Sequence, residues 1–285
     1  MRGTERSALV SVGDDLVDRV ASFLHLHLDR RRPVDEWRRI LRYPWAPENP
    51  VYGYALLRGE EVVGVVCTCY SRQEIRGGAE PFCNLHSWCV HPLHRAESVR
   101  LLSAALGDRK QTVTTLTVSR ETVDFLKRFG FRPIDEEVAL IPTPLFALSG
   151  WQARVTAERP AVLAAVDEAH RRMLSDFGAM RLTRAIIARR HRDWCLCLYT
   201  RERRRGIAVS RVVYVSHPPL FTKWLGAFAR SWLLKDGTLL ATCPPRFLTH
   251  RPAGAFIARE PRPQLFRSSR LDAPDITCLY SELTR

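Results

Sequence analysis

Residues Asn84 to Leu106 read NLHSWCVHPLHRAESVRLLSAAL, a strand that breaks at a proline, turns through an arginine and opens a helix. The run through Trp88 and Val90 alternates as a strand does, Pro92 ends it, and Val99, Leu102 and Leu106 then recur at helical spacing. Such a junction leaves backbone N–H groups free at a helix start, where the macrodipole is positive, and a pyrophosphate can sit there.

Outward from this stretch the elements follow in a consistent order. On the N-terminal side, Leu16, Val20, Phe23 and Leu24 share one face of an amphipathic helix expected over Asp14 to Leu28, with a shorter helix over Val34 to Leu41. Val51 to Leu57 and Val62 to Tyr70 then read as a hairpin around Arg58-Gly59-Glu60-Glu61, and Gly77-Gly78 supplies the next turn. On the C-terminal side, Thr112 to Val118 is strand-like by composition, and Ser119 is placed to cap a helix whose buried face is Val123, Leu126 and Phe129. Gly130 ends that helix and Phe131 to Ile141 returns as a strand, so the region from Phe82 to Ile141 has an α/β pattern.

The central stretch resembles the acyl-CoA-binding segment of the Gcn5-related N-acyltransferase (GNAT) superfamily, written V-x-P-x-x-R/Q-x-x-G-x-G/A. Val90, Pro92 and Arg95 match it, whereas Ser98 and Arg100 stand where the family places glycines that let backbone approach phosphate without a Cβ in the way. Ser119 to Phe131, SRETVDFLKRFGF, is similar to the closing GNAT segment, with Gly130-Phe131 matching; the family's tyrosine, which often protonates the departing thiolate, falls on Leu126. The resemblance implies a GNAT-like mixed β-sheet flanked by helices and an acetyl-CoA or other acyl-CoA co-substrate. It also implies transfer of the acyl group to an amine, carried by a small molecule or a protein; the absent glycines and Leu126 favour the other reading, a scaffold without catalysis that binds an anionic partner through its basic second half. In it the backbone of Trp88, Cys89 and Val90 pairs with the pantetheine arm, and Arg95, Ala96, Glu97, Ser98, Val99 and Arg100 cradle the pyrophosphate. For the base, the central strand offers His86, read as sharing a face with Trp88 and Val90; a histidine satisfied by its neighbours in a half-buried strand is the other reading. His91 and His94 in the turn either touch phosphate or face water.

Pro142 to Gly150 reads as a linker or a covering loop, placing an acyl-CoA-binding domain at 1–149 and a second, basic α/β domain at 150–285. There, helices are expected over Ala161 to Ser175 and Leu182 to Arg190, and a hairpin joins Trp194–Tyr199 to Ile207–Val215 through Arg201-Glu202-Arg203-Arg204-Arg205-Gly206. A helix over Pro219 to Lys235 carries Leu220, Trp224, Phe228 and Trp232 four apart, a strand covers Leu239 to Cys243, and Cys278 to Leu283 reads as a short terminal helix. The order repeats that of the first half and suggests an eroded second copy of the same fold.

At 285 residues the chain suits one large domain or two ordinary ones. Its net charge of +14 is uneven: residues 1–150 hold 20 basic against 19 acidic side chains, and residues 151–285 hold 24 against 11. The second half therefore offers either a site for an anionic partner or a solvated basic surface. The first residues lack the apolar core of a signal peptide and no later run suits a membrane span, so a cytoplasmic protein is the expectation. The eight cysteines read as core thiols rather than a zinc site, since Cys67-x-Cys69 is not the usual ligand spacing. Neither a nucleophile-elbow motif, a Walker loop, G-x-G-x-x-G nor H-E-x-x-H occurs, which removes the sequence support for those enzyme classes.

Overall fold

The computed structural model describes residues 6–281 apart from 109, 150, 152, 178–182 and 205. It divides into two compact units, each a mixed sheet flanked by helices. Among the described residues the first comprises those up to Pro133, Gln264–Ile276, Tyr280 and Ser281; the second comprises those of Ile134–Pro263 and Thr277–Leu279. The units divide at Pro133/Ile134, earlier than the linker read at 142–150.

Unit 1 runs β1 (Ala8–Ser11), α1 (Val17–His27), α2 (Val34–Leu41), β2 (Gly53–Arg58), β3 (Glu61–Ile75), β4 (Gly78–Val90), α3 (Ser98–Ala105), β5 (Thr112–Thr115) and α4 (Arg120–Lys127). β1 to β4 are successively antiparallel, and β5 lies parallel to β4. The tight turns at Gly59 and Gly77 hold φ of +57° and +78°, a region that costs glycine nothing, and they set the two hairpins. One face of the sheet buries Val17, Val20, Leu24, Trp37 and Leu41 of α1 and α2 against Val65, Cys67 and Cys69. The other buries Leu101, Leu102 and Leu126 against Val66, Cys83 and Leu85. The thiols of Cys67 and Cys83 therefore pack on opposite faces of the sheet, and no metal-holding cluster of His, Cys, Asp or Glu occurs among the described residues.

Unit 2 repeats this order. After β6 (Arg132–Pro142) and α5 (Thr143–Ala147) come β7 (Arg154–Thr156), α6 (Arg159–Ala165), α7 (Glu168–Asp176), β8 (Thr183–Arg190), β9 (Asp193–Arg204), β10 (Ile207–Val215), α8 (Pro218–Lys223), α9 (Leu225–Asp236) and β11 (Leu240–Cys243). β7 to β10 are successively antiparallel and β11 lies parallel to β10, as β5 lies to β4. Unit 1 also takes a strand from far along the chain, Leu265–Arg267 of β12 (Phe256–Arg267), which runs antiparallel to β5; in unit 2, Ala139–Pro142 of β6 runs antiparallel to β11. Trp224, Phe228 and Trp232 are fully buried in the unit 2 core, each worth about 1.5–3 kcal/mol by transfer from water.

Several expectations are corrected. Thr183–Arg190 is a strand and not a helix, because Ile186, Ile187 and Ala188 are buried on both faces and lose the alternation that marks an exposed strand; Leu182 lies outside the described residues. The expected helix over Ala161 to Ser175 is two helices, since Asp167 caps a new one through a bond from the His170 N–H at 2.9 Å. Pro142 to Ser149 contains α5, which packs on α9, and Gly150 lies outside the described residues. Residues 278–281 form no helix; Leu283 lies outside the described residues. No helix among the described residues is long and apolar enough to cross a membrane.

Candidate functional site

The opening of interest lies where β4 and β5 part. Their register pairs run only from Phe82↔Thr112 to Asn84↔Thr114, whereas β4 stays paired to β3 as far as Gly64↔Val90. Residues 85–90 thus have a partner strand on the β3 side, and among the described residues no strand pairs with them on the β5 side. A strand edge of this kind can take an extended ligand bearing amide groups by main-chain hydrogen bonds.

A β-bulge shapes the opening. The β3–β4 register slips between Cys67↔His86 and Val65↔Cys89, and Ser87 at the slip holds φ of +50°. The extra residue reverses which side chains face which way. His86 lies opposite Cys67 on the α1/α2 face, whereas Trp88 and Val90 join Cys83 and Leu85 on the α3/α4 face. His86 therefore does not share a face with Trp88 and Val90 as the unbroken alternation implies. It is 5% exposed, with Nδ1 3.0 Å from Ser87 Oγ.

Trp88 meets Phe125 of α4 at 5.8 Å between ring centroids, and Phe125 meets Phe129 at 5.0 Å. These rings, with Val118 and Val123, are partly buried and make the α4 side of the opening apolar. Leu126, at the position of the family's tyrosine, is 2% exposed in the unit 1 core. Burial pushes the Cys89 thiol above its ordinary range against the opposing pull of Arg95, so it is a neutral thiol near pH 7.

The turn after β4 differs from an open phosphate cradle. Pro92–Glu97 forms a 3₁₀ helix running straight into α3, with the His94 N–H donating to His91 O at 2.8 Å and the Ser98 N–H donating to Arg95 O. His91 caps it, its Nδ1 accepting from the Leu93 N–H at 3.4 Å. Ser98 is αR, and no residue of this segment has the positive φ that an anion-binding nest requires. The Glu97 carboxylate is held instead by Ser7 Oγ at 2.9 Å, by Arg100 and by His94 Nδ1 at 3.5 Å, while Arg100 also donates to Ser7 O at 2.8 Å. Burial alone would raise the Glu97 carboxyl, but these bonds outweigh it and hold it below the ordinary range. Arg95 and Ala96 are exposed, and Val99 is 40% exposed.

The bulge at Ser87, the Phe125 ring and the Ser7–Glu97–Arg100 clamp were not read from the sequence. Phe125 and Phe129, one turn apart on a helix, carried a usable signal. Ser87 carried none.

Over 92–94% of its length the chain is similar to solved structures at 9–11% identity. A GCN5-related N-acetyltransferase from Anabaena variabilis matches with a TM-score of 0.61 at 10% identity, over 92% of this chain and 72% of that one. The fold is that of the GNAT acyltransferases. A probable N-acyltransferase from Enterococcus faecalis matches with a TM-score of 0.60 at 11% identity, over 94% of this chain and 74% of its own. Saccharomyces cerevisiae N-myristoyltransferase with bound myristoyl-CoA matches with a TM-score of 0.51 at 9% identity, over 94% and 84%. No family model and no curated protein sequence matches the chain. The GNAT likeness is therefore one of fold.

Proposed function

We propose that unit 1 transfers an acyl group from an acyl-CoA to an amine. The observation that carries this reading is the parting of β4 and β5 beyond Asn84 and Thr114, beside a bulge and an apolar wall, in a GNAT fold. The pantetheine arm fits the edge at Trp88, Cys89 and Val90, where its amides take the place of a strand, and the acyl chain lies against Trp88 and Phe125. The pyrophosphate fits less well on backbone, since the 3₁₀ helix uses N–H groups that a nest would leave free and Glu97 occupies Arg100. Its contacts fall to the exposed Arg95 guanidinium, as a screened ion pair of modest worth.

Catalysis in this reading rests on placing the amine beside the thioester carbonyl, which alone supplies about 7 kcal/mol or more of the barrier. His86 takes the amine proton, its ring oriented by Ser87 Oγ, and the thiolate leaves to solvent because Leu126 has no proton to give. The acceptor is a small-molecule or protein amine. The test is the melting temperature of the full chain with acetyl-CoA, where ligand at 100 times its Kd stabilises by about 2.7 kcal/mol. It is joined to turnover of His86→Gln, expected to fall by about 10²-fold with acetyl-CoA affinity unchanged. An unmoved melting temperature with acetyl-CoA and longer acyl-CoAs defeats the cofactor assignment, and unchanged turnover returns His86 to a purely structural part.

A further inference from the structure

Unit 2 holds a second constellation on the α7 side of its sheet. His170 Nδ1 lies 2.7 Å from Asp167 Oδ1 and its Nε2 lies 2.8 Å from Tyr214 Oη. An ionised carboxylate only accepts, so Nδ1 carries the proton and donates it to Asp167; Nε2 is then the acceptor and the Tyr214 phenol the donor. The arrangement is a hydroxyl on a base, and the base on an orienting carboxylate. Asp167 is fixed independently, because the same Oδ1 caps α7. Trp194 packs edge-on to the imidazole at 5.2 Å and limits its rotation.

The place of Tyr214 in the strand is specific. The β9–β10 register slips between Val212 and Tyr214, as the β3–β4 register slips near Trp88. Tyr214 stands four residues before Pro218, and Trp88 stands four before Pro92, within the matching Tyr-Val-Ser-His-Pro and Trp-Cys-Val-His-Pro segments. Val212 and Val215 face the core under α8 and α9, and the slip between them turns Tyr214 to the opposite face, where α7 carries His170. Tyr214 and His170 are half-buried and Asp167 is exposed, so the group lies at the surface and not within the core.

We propose that Tyr214, His170 and Asp167 form a nucleophile, base and orienting carboxylate, with Tyr214 the residue that accepts an acyl group from an activated ester or thioester. The phenolic oxygen attacks the carbonyl carbon, and its proton passes to His170 Nε2 as the new C–O bond forms. Asp167 holds the resulting imidazolium. The tetrahedral centre then expels the alkoxide or thiolate with the electrons of the bond that breaks, and His170 returns its proton to that leaving group or to water. Transfer to His170 is needed because burial, with Asp167 and Cys195 adding to it, pushes the phenol up to about 12 and leaves almost no free phenolate near neutrality. This site is independent of the acyl-CoA reading of unit 1.

The probe is p-nitrophenyl acetate with the full chain, reading p-nitrophenolate release and the acetyl group by peptide mass. The expected result is one acetyl on Tyr214, absent in Tyr214→Phe, and slowed by about tenfold or more in His170→Gln and in Asp167→Asn. Asp167→Asn retains an oxygen to cap α7, so it removes the charge without removing the cap, and circular dichroism verifies that each variant is folded. Beside the triad, Glu168 follows Asp167 on α7 and is ion-paired to Arg171 and Arg172, Cys195 of β9 raises the Tyr214 phenol, and His217 beyond β10 meets Trp194. Burial pushes the Cys195 thiol up to about 12, so it stays neutral near pH 7. No acetyl on Tyr214, or acetylation that proceeds equally without His170, overturns the proposal.

Discussion

Replacing Ser87 separates the bulge from the chemistry around it. Ser87 holds φ of +50°, where a side chain with a Cβ pays about 1–2 kcal/mol, and its hydroxyl meets His86 Nδ1 at 3.0 Å. Ser87→Gly removes the strain, adds about 0.5–1 kcal/mol of unfolded-chain entropy and deletes a hydrogen bond worth about 0.5–1.5 kcal/mol. These terms offset to within about 1 kcal/mol, so the glycine variant should unfold in urea close to the parent. Ser87→Val loses the same bond and forces a β-branched side chain into the left-handed region, for a total loss of about 2 kcal/mol or more. The valine variant can escape that cost only by removing the bulge, which slips the register and carries Trp88 and Val90 to the other face. Acetyl-CoA affinity should then survive in the glycine variant and fall in the valine variant. Equal stabilities of the two variants, or full affinity in Ser87→Val, refutes the placing of the bulge and its part in the opening.

Glu97 makes stability depend on acid. Its carboxyl is held below the ordinary 4.5 by Ser7, Arg100 and His94 against the opposing effect of burial, so its contribution is present above the unfolded-state value and is lost as pH falls through the folded one. Urea unfolding from about pH 6 down to about pH 3 should show a smaller loss in Glu97→Gln than in the parent; identical pH slopes contradict the clamp. On the β9–β10 hairpin, Arg201 and Arg203 are exposed while Arg204 pairs with Glu202 at 3.2 Å; Arg205 lies outside the described residues. If a polyanion is the partner, Arg201→Ser with Arg203→Ser should flatten the fall of affinity with salt, and an unchanged slope for RNA, DNA and acidic vesicles assigns the charge to a solvated surface.

What the sequence made legible had local causes. The helix over Val34–Leu41 and the two hairpins around Gly59 and Gly206 were readable because periodicity and turn glycines act within a few residues. The repeat was readable as an order of elements, and β10 lies parallel to β11 as β4 does to β5. β12 was missed because Pro261 and Pro263 argue against a strand locally, and its pairing with β5 comes from far along the chain. The face of His86 was misread because one serine, without glycine to advertise it, adopts the conformation that reverses the alternation. The Asp167–His170–Tyr214 group joins residues 44 apart at its phenol end, beyond the reach of any spacing rule.

A crystal of the full chain soaked with acetyl-CoA tests the central claim most directly. The account predicts the pantetheine arm along β4 at residues 87–90, its amides bonded to that edge, with the thioester facing the opening beside Trp88 and Phe125 and the pyrophosphate near Arg95. An acetyl-CoA bound elsewhere, or an edge left bare at saturating ligand, would contradict it.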